Sequence, residues 1–226
     1  MVFHHEQAAA PKFPSRLMFY CERPASVGGG TGITPSWPIV DALAASHPDF
    51  LAMCEEKGVR YSAVLPPEPD ASKGVGRSWK SFFAVSDKAA AEARMRELGY
   101  EWEWTEGDVL RTRTPVLSAV QSVPGPAGPA TRVFFNQMVA QALANAKEFD
   151  AAASTGPGDV APPLLCFGDG TPVPMEPLRC AAAVGEARAV DVQWQAGDVL
   201  VADNMTVLHA RRAFEGPRRV LASLVQ

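Results

Sequence analysis

Residues 190–225 read VDVQWQAGDVLVADNMTVLHARRAFEGPRRVLASLV, and this closing stretch indicates the fold more clearly than the rest of the chain. Short apolar or alternating runs are separated by turn residues such as Gly197-Asp198 and Asp203-Asn204. Runs of this length with Gly and Asp turns between them are typical of antiparallel strands. They predict strands at 190–194, 199–202 and 219–225.

The remainder of the chain mixes further strands with helices. Apolar or alternating runs predict strands at 17–21, 100–104 and 109–112. Helical spacing predicts helices at 37–45, 87–98 and 134–146, and we expect Ser86 and Gly99 to cap the second of them. Strands at both ends with helices inserted between them indicate a mainly β barrel or sandwich decorated by helices.

Length and composition favour one globular domain over residues 1–226. Hydrophobic residues make up 47% and charged residues 20% of the 226 residues, which excludes an intrinsically disordered chain. The net charge of −4 offers no basic surface for nucleic acid, and no apolar run approaches the roughly 20 residues that cross a bilayer. No leader is visible before Phe3, so a cytoplasmic location is expected. Loops rich in Pro and Gly are expected at 124–129 and 154–163.

The four cysteines are scattered and form no CxxC pair. This usage predicts reduced thiols that serve as small apolar side chains, and it argues against a disulfide scaffold or a structural zinc knot. The residues concerned are Cys21, Cys54, Cys166 and Cys180.

Two of the four histidines stand beside an acid in His4-His5-Glu6. On an extended segment, His4 and Glu6 point to the same face. His209, which follows an apolar run, is the best candidate for a third ligand. Two imidazoles and one carboxylate form the facial triad of non-haem iron(II) sites, which leaves positions open for a bidentate co-substrate and dioxygen. A lone HxE pair is common by chance, so the prediction of a metal site depends on His209 supplying the third ligand.

Arg219 begins an alternating strand, and it shares one face with Leu221, Ser223 and Val225. An arginine that points into a barrel is costly unless it meets an anion. The guanidinium fork suits one end of a dicarboxylate. Arg211, Arg212 and Arg218 are expected to be surface cations, with Arg212 the one of the three that faces the cleft.

The sequence resembles the taurine catabolism dioxygenase (TauD/TfdA) superfamily, most closely its clavaminate synthase-like branch. The matching stretches cover most of the chain. They are HHEQAAAPKFPSRLMFYCERPASVGGGT (4–31), GRSWKSFF (76–83), VFFNQMVA (133–140), CFGDGTPVP (166–174), WQAGDVLVADNMTVLHARRAF (194–214) and GPRRVLASL (216–224).

The resemblance implies a double-stranded β-helix (jelly roll) with helical insertions. It implies that His4, Glu6 and His209 bind Fe(II), and that Thr31 and Arg219 hold the distal carboxylate of 2-oxoglutarate. Asn136 and Arg212 are then candidate substrate residues. So is Ser223, which stands where some relatives carry a second arginine for an anionic substrate; the absence of that arginine argues against a sulfonate.

The activity implied is oxidative decarboxylation of 2-oxoglutarate, with O2, coupled to hydroxylation or desaturation of a small organic substrate. Family members normally carry a sizeable segment before the HxE motif, so the chain is expected to be N-terminally truncated. One alternative is a non-catalytic barrel fragment or binding protein that retains the metal motif. Another is a zinc hydrolase with the same ligands, which would leave Thr31 and Arg219 without a role. A homo-oligomer is compatible with the sequence.

Overall fold

The computed structural model describes residues 1–69, 77–124, 130–146 and 164–225. The loop predicted at 154–163 and most of the loop at 124–129 lie outside the described residues. The strands are β1 Arg16–Arg23, β2 Val27–Gly28, β3 Thr31–Pro35, β4 Val59–Leu65, β5 Glu101–Thr105, β6 Val109–Arg113, β7 Gln121–Val123, β8 Thr131–Val133, β9 Leu165–Phe167, β10 Val190–Val192, β11 Val199–Asp203, β12 Val207–Arg211, β13 Phe214–Glu215 and β14 Arg219–Val225. The helices are α1 Trp37–Ser46, α2 Pro48–Lys57, α3 Trp79–Phe83, α4 Lys88–Leu98, α5 Met138–Ala144 and α6 Met175–Ala187.

Two three-stranded antiparallel sheets carry the predicted site. In the first, which we call sheet A, β1 lies between β11 and β14. In the second, sheet B, β3 lies between β10 and β12. The sheets approach each other at Phe19 of β1, whose ring centroid lies 5.4 Å from that of His209 on β12. A two-stranded ribbon of β2 and β13 accompanies them.

The main hydrophobic core lies on the side of sheet B that faces the helices. Ile39 and Leu43 of α1 and Leu178 of α6 belong to the same buried cluster as Leu208 and Ala210 of β12. Side chains alternate along a strand, so burial of Leu208 and Ala210 against the helices turns His209 to the opposite face. Packing of Leu208 and Ala210 on one face of β12 therefore determines that His209 projects from the other face.

A second, smaller core is built in the segment that contains α3, α4, β5 and β6. Trp79, Met95 and Leu110 are buried there, and Trp102 and Trp104 pack against them partly buried. These strands join β4 and β9 in a four-stranded sheet ordered β5-β6-β4-β9. The tryptophans of the alternating YEWEW run thus face this small core, and the glutamates of the run are exposed.

The helix predicted at 134–146 is shorter than expected, because α5 begins only at Met138. The preceding turn is held by Asn136, whose amide oxygen accepts a hydrogen bond from the Met138 backbone nitrogen at 2.9 Å while its amide nitrogen donates to the Ala119 carbonyl. Side-chain-to-backbone bonds of this kind compete with a helix, which sequence periodicity does not reveal.

The prediction that Ser86 caps the N-terminus of α4 was wrong. Asp87, and not Ser86, accepts the backbone hydrogen bond of Ala90, at 2.9 Å, while Ser86 Oγ donates to the Asp87 carboxylate. Gly99 closes the helix at φ 73°, as predicted. A carboxylate is favoured at this position because it also meets the positive end of the helix dipole.

Four elements that bear on the site were not predicted: α3, α6, β3 and β12. The four cysteines carry free thiols and three of them are buried, as the sequence analysis predicted. Within the described ranges, no helix has the length and apolar character needed to cross a bilayer.

Candidate metal centre

Three side chains from the two ends of the sequence converge at the face between the sheets. One donor atom each from His4, Glu6 and His209 lies within 4.8 Å of the other two. The Glu6 Oε2 atom is 3.8 Å from the Nε2 atoms of both histidines. The structure therefore brings together the three ligands that the sequence analysis proposed.

Backbone pairing fixes the relative position of the two histidines. His4 and His209 form an antiparallel bridge in which each backbone nitrogen donates to the other residue's carbonyl, at 3.1 and 3.0 Å. Their ring centroids lie 4.3 Å apart. Directly opposed residues of a bridge project to the same face, so both rings point toward Glu6.

The segment that carries Glu6 is braced by Asn204, which is fully buried. The Asn204 side chain accepts from the Glu6 backbone nitrogen at 2.8 Å and donates to the carbonyls of Glu6 and Pro14. Asp203 orders the same turn by accepting from the backbone nitrogen of Met205. A metal ligand near a chain end is thereby held by several buried hydrogen bonds.

His5 is a buried structural residue rather than a ligand. Its Nδ1 lies 2.6 Å from the Asn204 carbonyl oxygen and its Nε2 lies 3.1 Å from Ser36 Oγ. The Gln137 side chain donates to the His5 carbonyl at 2.7 Å. Burial lowers the pKa of His5 to about 3, so the ring stays neutral and keeps both contacts at physiological pH.

Protonation states also favour metal binding. Burial, reinforced by the nearby His4 ring, lowers the pKa of His209 to about 4, which leaves a neutral imidazole. The His4 imidazole beside Glu6 lowers the pKa of that carboxyl, which stays ionised. His4 Nδ1 lies 2.9 Å from the Val2 carbonyl, to which it donates, so Nε2 is the ring nitrogen directed at the cluster.

The donor set fits a divalent transition metal. Ligand atoms sit about 2 Å from such an ion, so two donors that share it lie no more than about 4 Å apart. Glu6 Oε2 already lies 3.8 Å from the Nε2 atom of each histidine. Two imidazole nitrogens and one carboxylate oxygen suit iron(II) with open coordination positions. His209 Nδ1 is buried and has no hydrogen-bond partner among the described residues.

Thr31 lies on the same side of sheet B as His209. The register pairs Arg211 with Thr31 and His209 with Ile33, so Thr31 projects toward the cluster side of β3. The hydroxyl is buried and accepts a hydrogen bond from Trp194 Nε1 at 2.9 Å. Gly28, at φ 66°, leads the chain into β3, and a Cβ there would lie 2.4 Å from the Ala213 carbonyl oxygen.

The structure does not bring Arg219 to the cluster. Its guanidinium pairs with Glu22 at 3.0 Å, and 60% of the side chain is exposed. Ser223 is exposed on β14 and pairs with Met18 of β1, whereas Phe19, which contacts His209, lies opposite Ala222. The neighbouring Arg218 is half-buried and donates to the Gly29 carbonyl at 2.9 Å, beside the turn that precedes Thr31.

Arg212 and Asn136 lie on the helix side of sheet B. Arg212 forms ion pairs with Glu186 of α6 and Asp191 of β10 and stacks over the Phe3 ring. Both amide atoms of Asn136 are used in the turn before α5. The prediction that Arg212 faces the cleft is therefore not supported, because Arg212, which directly follows β12, contacts the helix side of sheet B and not the side of His209.

Sequence reasoning overlooked a cavity of about 370 Å³ that Glu6 shares with the α3–α4 segment. Its lining includes Gln137, the basic residues Lys12, Arg77 and Arg94, and several aromatic side chains. The motif GRSWKSFF at 76–83 supplies part of this wall, but the motif was used in the sequence analysis only as a mark of resemblance.

Comparison with known proteins identifies the family. The chain is 40% identical to a clavaminate synthase-like protein of Arabidopsis thaliana over 225 residues, which are 98% of this chain and 64% of that protein. The chain thus spans about two thirds of the length of this relative.

Solved structures share the fold at low sequence identity. A putative α-ketoglutarate-dependent 2,4-D dioxygenase from Burkholderia xenovorans matches with a TM-score of 0.51 and 12% identity, covering 99% of this chain and 66% of that one. An asparagine oxygenase in complex with Fe(II), (2S,3S)-3-hydroxyasparagine and succinate matches with a TM-score of 0.50 and 15% identity, covering 99% and 49%.

These matches, together with sheets A and B, confirm the mainly β jelly roll with helical insertions. The sequence profile of the taurine catabolism dioxygenase TauD, TfdA family matches residues 1–70 and 129–224, and the chain belongs to that family.

Proposed function

We propose that residues 1–226 form a single catalytic domain of an Fe(II)- and 2-oxoglutarate-dependent oxygenase that hydroxylates or desaturates a small organic substrate. The observation that carries this proposal is the convergence of His4, Glu6 and His209, whose donor atoms lie within 4.8 Å of one another. Three protein ligands leave coordination positions for a co-substrate and dioxygen, which a four-ligand structural site would not.

The comparisons support the same chemistry. The asparagine oxygenase of similar fold was solved with Fe(II), a hydroxylated amino acid and succinate, the product that remains when 2-oxoglutarate loses carbon dioxide. The carboxylate ligand Glu6 also supports oxygenation, because it fills the coordination position that a halide would otherwise require.

When bound, the iron would supply the redox chemistry by which dioxygen oxidises 2-oxoglutarate and the substrate together. The chain's own residues prepare the site. His209 stays neutral and offers a nitrogen lone pair, the Nδ1 contact of His4 directs its Nε2 toward the cluster, and Glu6 supplies one negative charge. Asn204 and the His5 contacts hold the ligand segment in place before the metal arrives, which lowers the ordering cost of binding.

For 2-oxoglutarate, we propose that Thr31 and Arg219 bind the distal carboxylate. Thr31 already projects to the cluster side of β3 with its hydroxyl oriented by Trp194. Arg219 would have to exchange Glu22 for the co-substrate. An exposed ion pair is worth only about 0–1 kcal/mol, so a bidentate carboxylate can replace it.

The test is an anaerobic titration of the purified chain with Fe(II) and 2-oxoglutarate, monitored by the weak visible metal-to-ligand charge-transfer band. We expect a band in the wild-type chain and none in His209→Ala. Circular dichroism of both proteins establishes that they are folded. A folded wild-type chain that binds Fe(II) by calorimetry but gives no band with 2-oxoglutarate would contradict the oxygenase proposal and favour a binding protein that retains the metal motif.

A further inference from the structure

The cavity beside Glu6 is distinct from the surface where 2-oxoglutarate is proposed to bind. Glu6 belongs both to the metal cluster and to the lining of this cavity of about 370 Å³. That volume falls within the range of small-molecule sites and suits a molecule of amino-acid size. A molecule bound there would lie next to the metal ligands.

Basic residues dominate the charged lining. Lys12, Arg77 and Arg94 line the cavity, and Glu6 is the one acidic side chain among the lining residues that the structure describes. Lys12 and Arg94 both contact Glu97, at 2.5 and 2.7 Å. Even with Glu97 included, the three basic side chains outnumber the two carboxylates. The negative charge of Glu6 would moreover be neutralised by a bound metal ion.

Arg77 is positioned for recognition of an anion. Its guanidinium donates to the Ser81 carbonyl at 3.0 Å and stacks over the Phe82 ring at 5.7 Å from its centroid. These contacts fix the plane of the guanidinium without neutralising its charge.

Another part of the lining is apolar. Phe83 and Tyr100 are both buried, and their rings meet edge to face with centroids 5.5 Å apart. A lining that combines basic and apolar side chains selects a molecule with a hydrocarbon portion and a charged end.

We propose that this cavity binds the primary substrate and that the substrate is a small organic carboxylate, held at its charged end by Arg77 and Lys12. This inference rests on the proposed oxygenase function, because it places the substrate's hydrocarbon portion beside Glu6 of the iron site. Ser223, which stands where some relatives carry a substrate-binding arginine, would then not be needed, because the anion-binding cations come from the other side of the site.

The experiment uses the chain loaded anaerobically with Fe(II) and saturating 2-oxoglutarate. The probes are 4-methylpentanoic acid, 3-phenylpropionic acid and N-acetyl-L-leucine, each paired with its primary amide, and methanesulfonate and inorganic phosphate as further anions. A probe bound in the cavity shifts the charge-transfer band and leaves it present, whereas a probe that displaces 2-oxoglutarate abolishes it.

We expect at least one acid to bind about tenfold more tightly than its amide. Arg77→Gln and Lys12→Gln should each reduce that preference severalfold. The matched control is Arg96→Gln, on α4 like Arg94 but 62% exposed and paired with Glu92; it should leave the preference unchanged.

The outcomes separate the two proposals. A normal band without any preference for acid over amide, or a preference lost equally in Arg96→Gln, would overturn the carboxylate inference while the oxygenase function stands. A response to phosphate or methanesulfonate that exceeds every carboxylate would overturn the assignment to a carboxylate. Absence of the band in the wild-type chain would instead contradict the oxygenase proposal itself.

Discussion

β12 and β14 have similar sequences but different surroundings. VLHAR in β12 and RVLASLV in β14 are both short apolar strands with a candidate site residue. In β12, Leu208 and Ala210 are buried against the helices and His209 is buried on the opposite face. In β14, five of the seven residues are exposed and the other two are half-buried. Alternation of apolar and polar residues predicts that a strand forms. The layer that packs behind the strand determines whether a side chain points toward the site and keeps that orientation.

The same contrast extends to hydrogen bonding. The cluster at His4, Glu6 and His209 is supported by buried bonds from Asn204 and His5. Arg219 is held by an ion pair with Glu22 at the surface. Buried networks are costly to break, whereas surface pairs contribute little. Changes around β12 should therefore have large effects and changes at β14 small effects on folding.

The largest expected effect is loss of the metal in His209→Ala. Removing one of three ligands should lower Fe(II) affinity by more than about 100-fold, since loss of a supporting residue alone costs roughly 10- to 100-fold. Calorimetry with Fe(II) under anaerobic conditions measures this. The control is His47→Ala, because His47 contacts Glu176 far from the cluster. Equal losses in the two variants would mean that His209 is not a ligand.

Asn204→Ala should reduce both stability and metal affinity. It leaves the Glu6 backbone nitrogen and the Pro14 carbonyl without buried partners, which should lower the free energy of unfolding by about 2–3 kcal/mol. Metal affinity should fall roughly 10-fold or more, because the Glu6 segment loses its brace. Urea denaturation and calorimetry measure the two effects. Asn145→Ala, which removes a bond within α5, should leave metal affinity unchanged.

Stability of the metal-free protein should fall with acid. In the folded chain the pKa of His5 is about 3 and that of His209 about 4, whereas both titrate near 6.5 when unfolded. The unfolded chain therefore binds more protons below pH 6.5, and the free energy of unfolding should fall by up to about 1.4 kcal/mol per pH unit for each histidine. The contribution of the two neutral histidines to the free energy of unfolding is fully present above pH 6.5.

Urea denaturation between pH 7.5 and 5 tests this. The slope should be smaller in His5→Gln than in the wild type, since the variant has one fewer group to protonate on unfolding. An unchanged slope would show that His5 is protonated in the folded chain or does not contribute to the acid dependence.

The smallest effect on folding is expected at β14. Arg219→Ala should change the free energy of unfolding by no more than about 0.5 kcal/mol, because the side chain is 60% exposed. If Arg219 binds 2-oxoglutarate as proposed, affinity for the co-substrate should still fall roughly tenfold, the value of one charge-assisted bond. Titration with 2-oxoglutarate, followed by the charge-transfer band, measures this affinity, and Arg218→Ala is titrated in parallel. A larger loss in Arg218→Ala would assign the carboxylate to Arg218, which already lies beside Gly29.

Local features were predictable where they depend on neighbours in sequence. α1 and α4 and the strand Arg219–Val225 were predicted within one or two residues, because Pro38, Gly99 and simple alternation mark them. The helix at 134–146 was predicted too long, since Asn136 bonds to Ala119, which is distant in sequence. The cavity at Glu6 was not foreseen, because its walls come from separate segments.

The sequence by itself determined the ligand types, the alternation of the strands and the family, since HxE, His209 and the matching stretches are all written in the chain. The tertiary structure decided which histidine joins the cluster with Glu6 and which one supports it from the core. His4 and His5 are adjacent, yet one bridges to His209 and the other is buried against Asn204 and Ser36. It also decided that Arg212 faces the helices and Arg219 faces solvent. The physical reason is that orientation depends on what packs against each face of a strand, and that packing comes from residues distant in sequence.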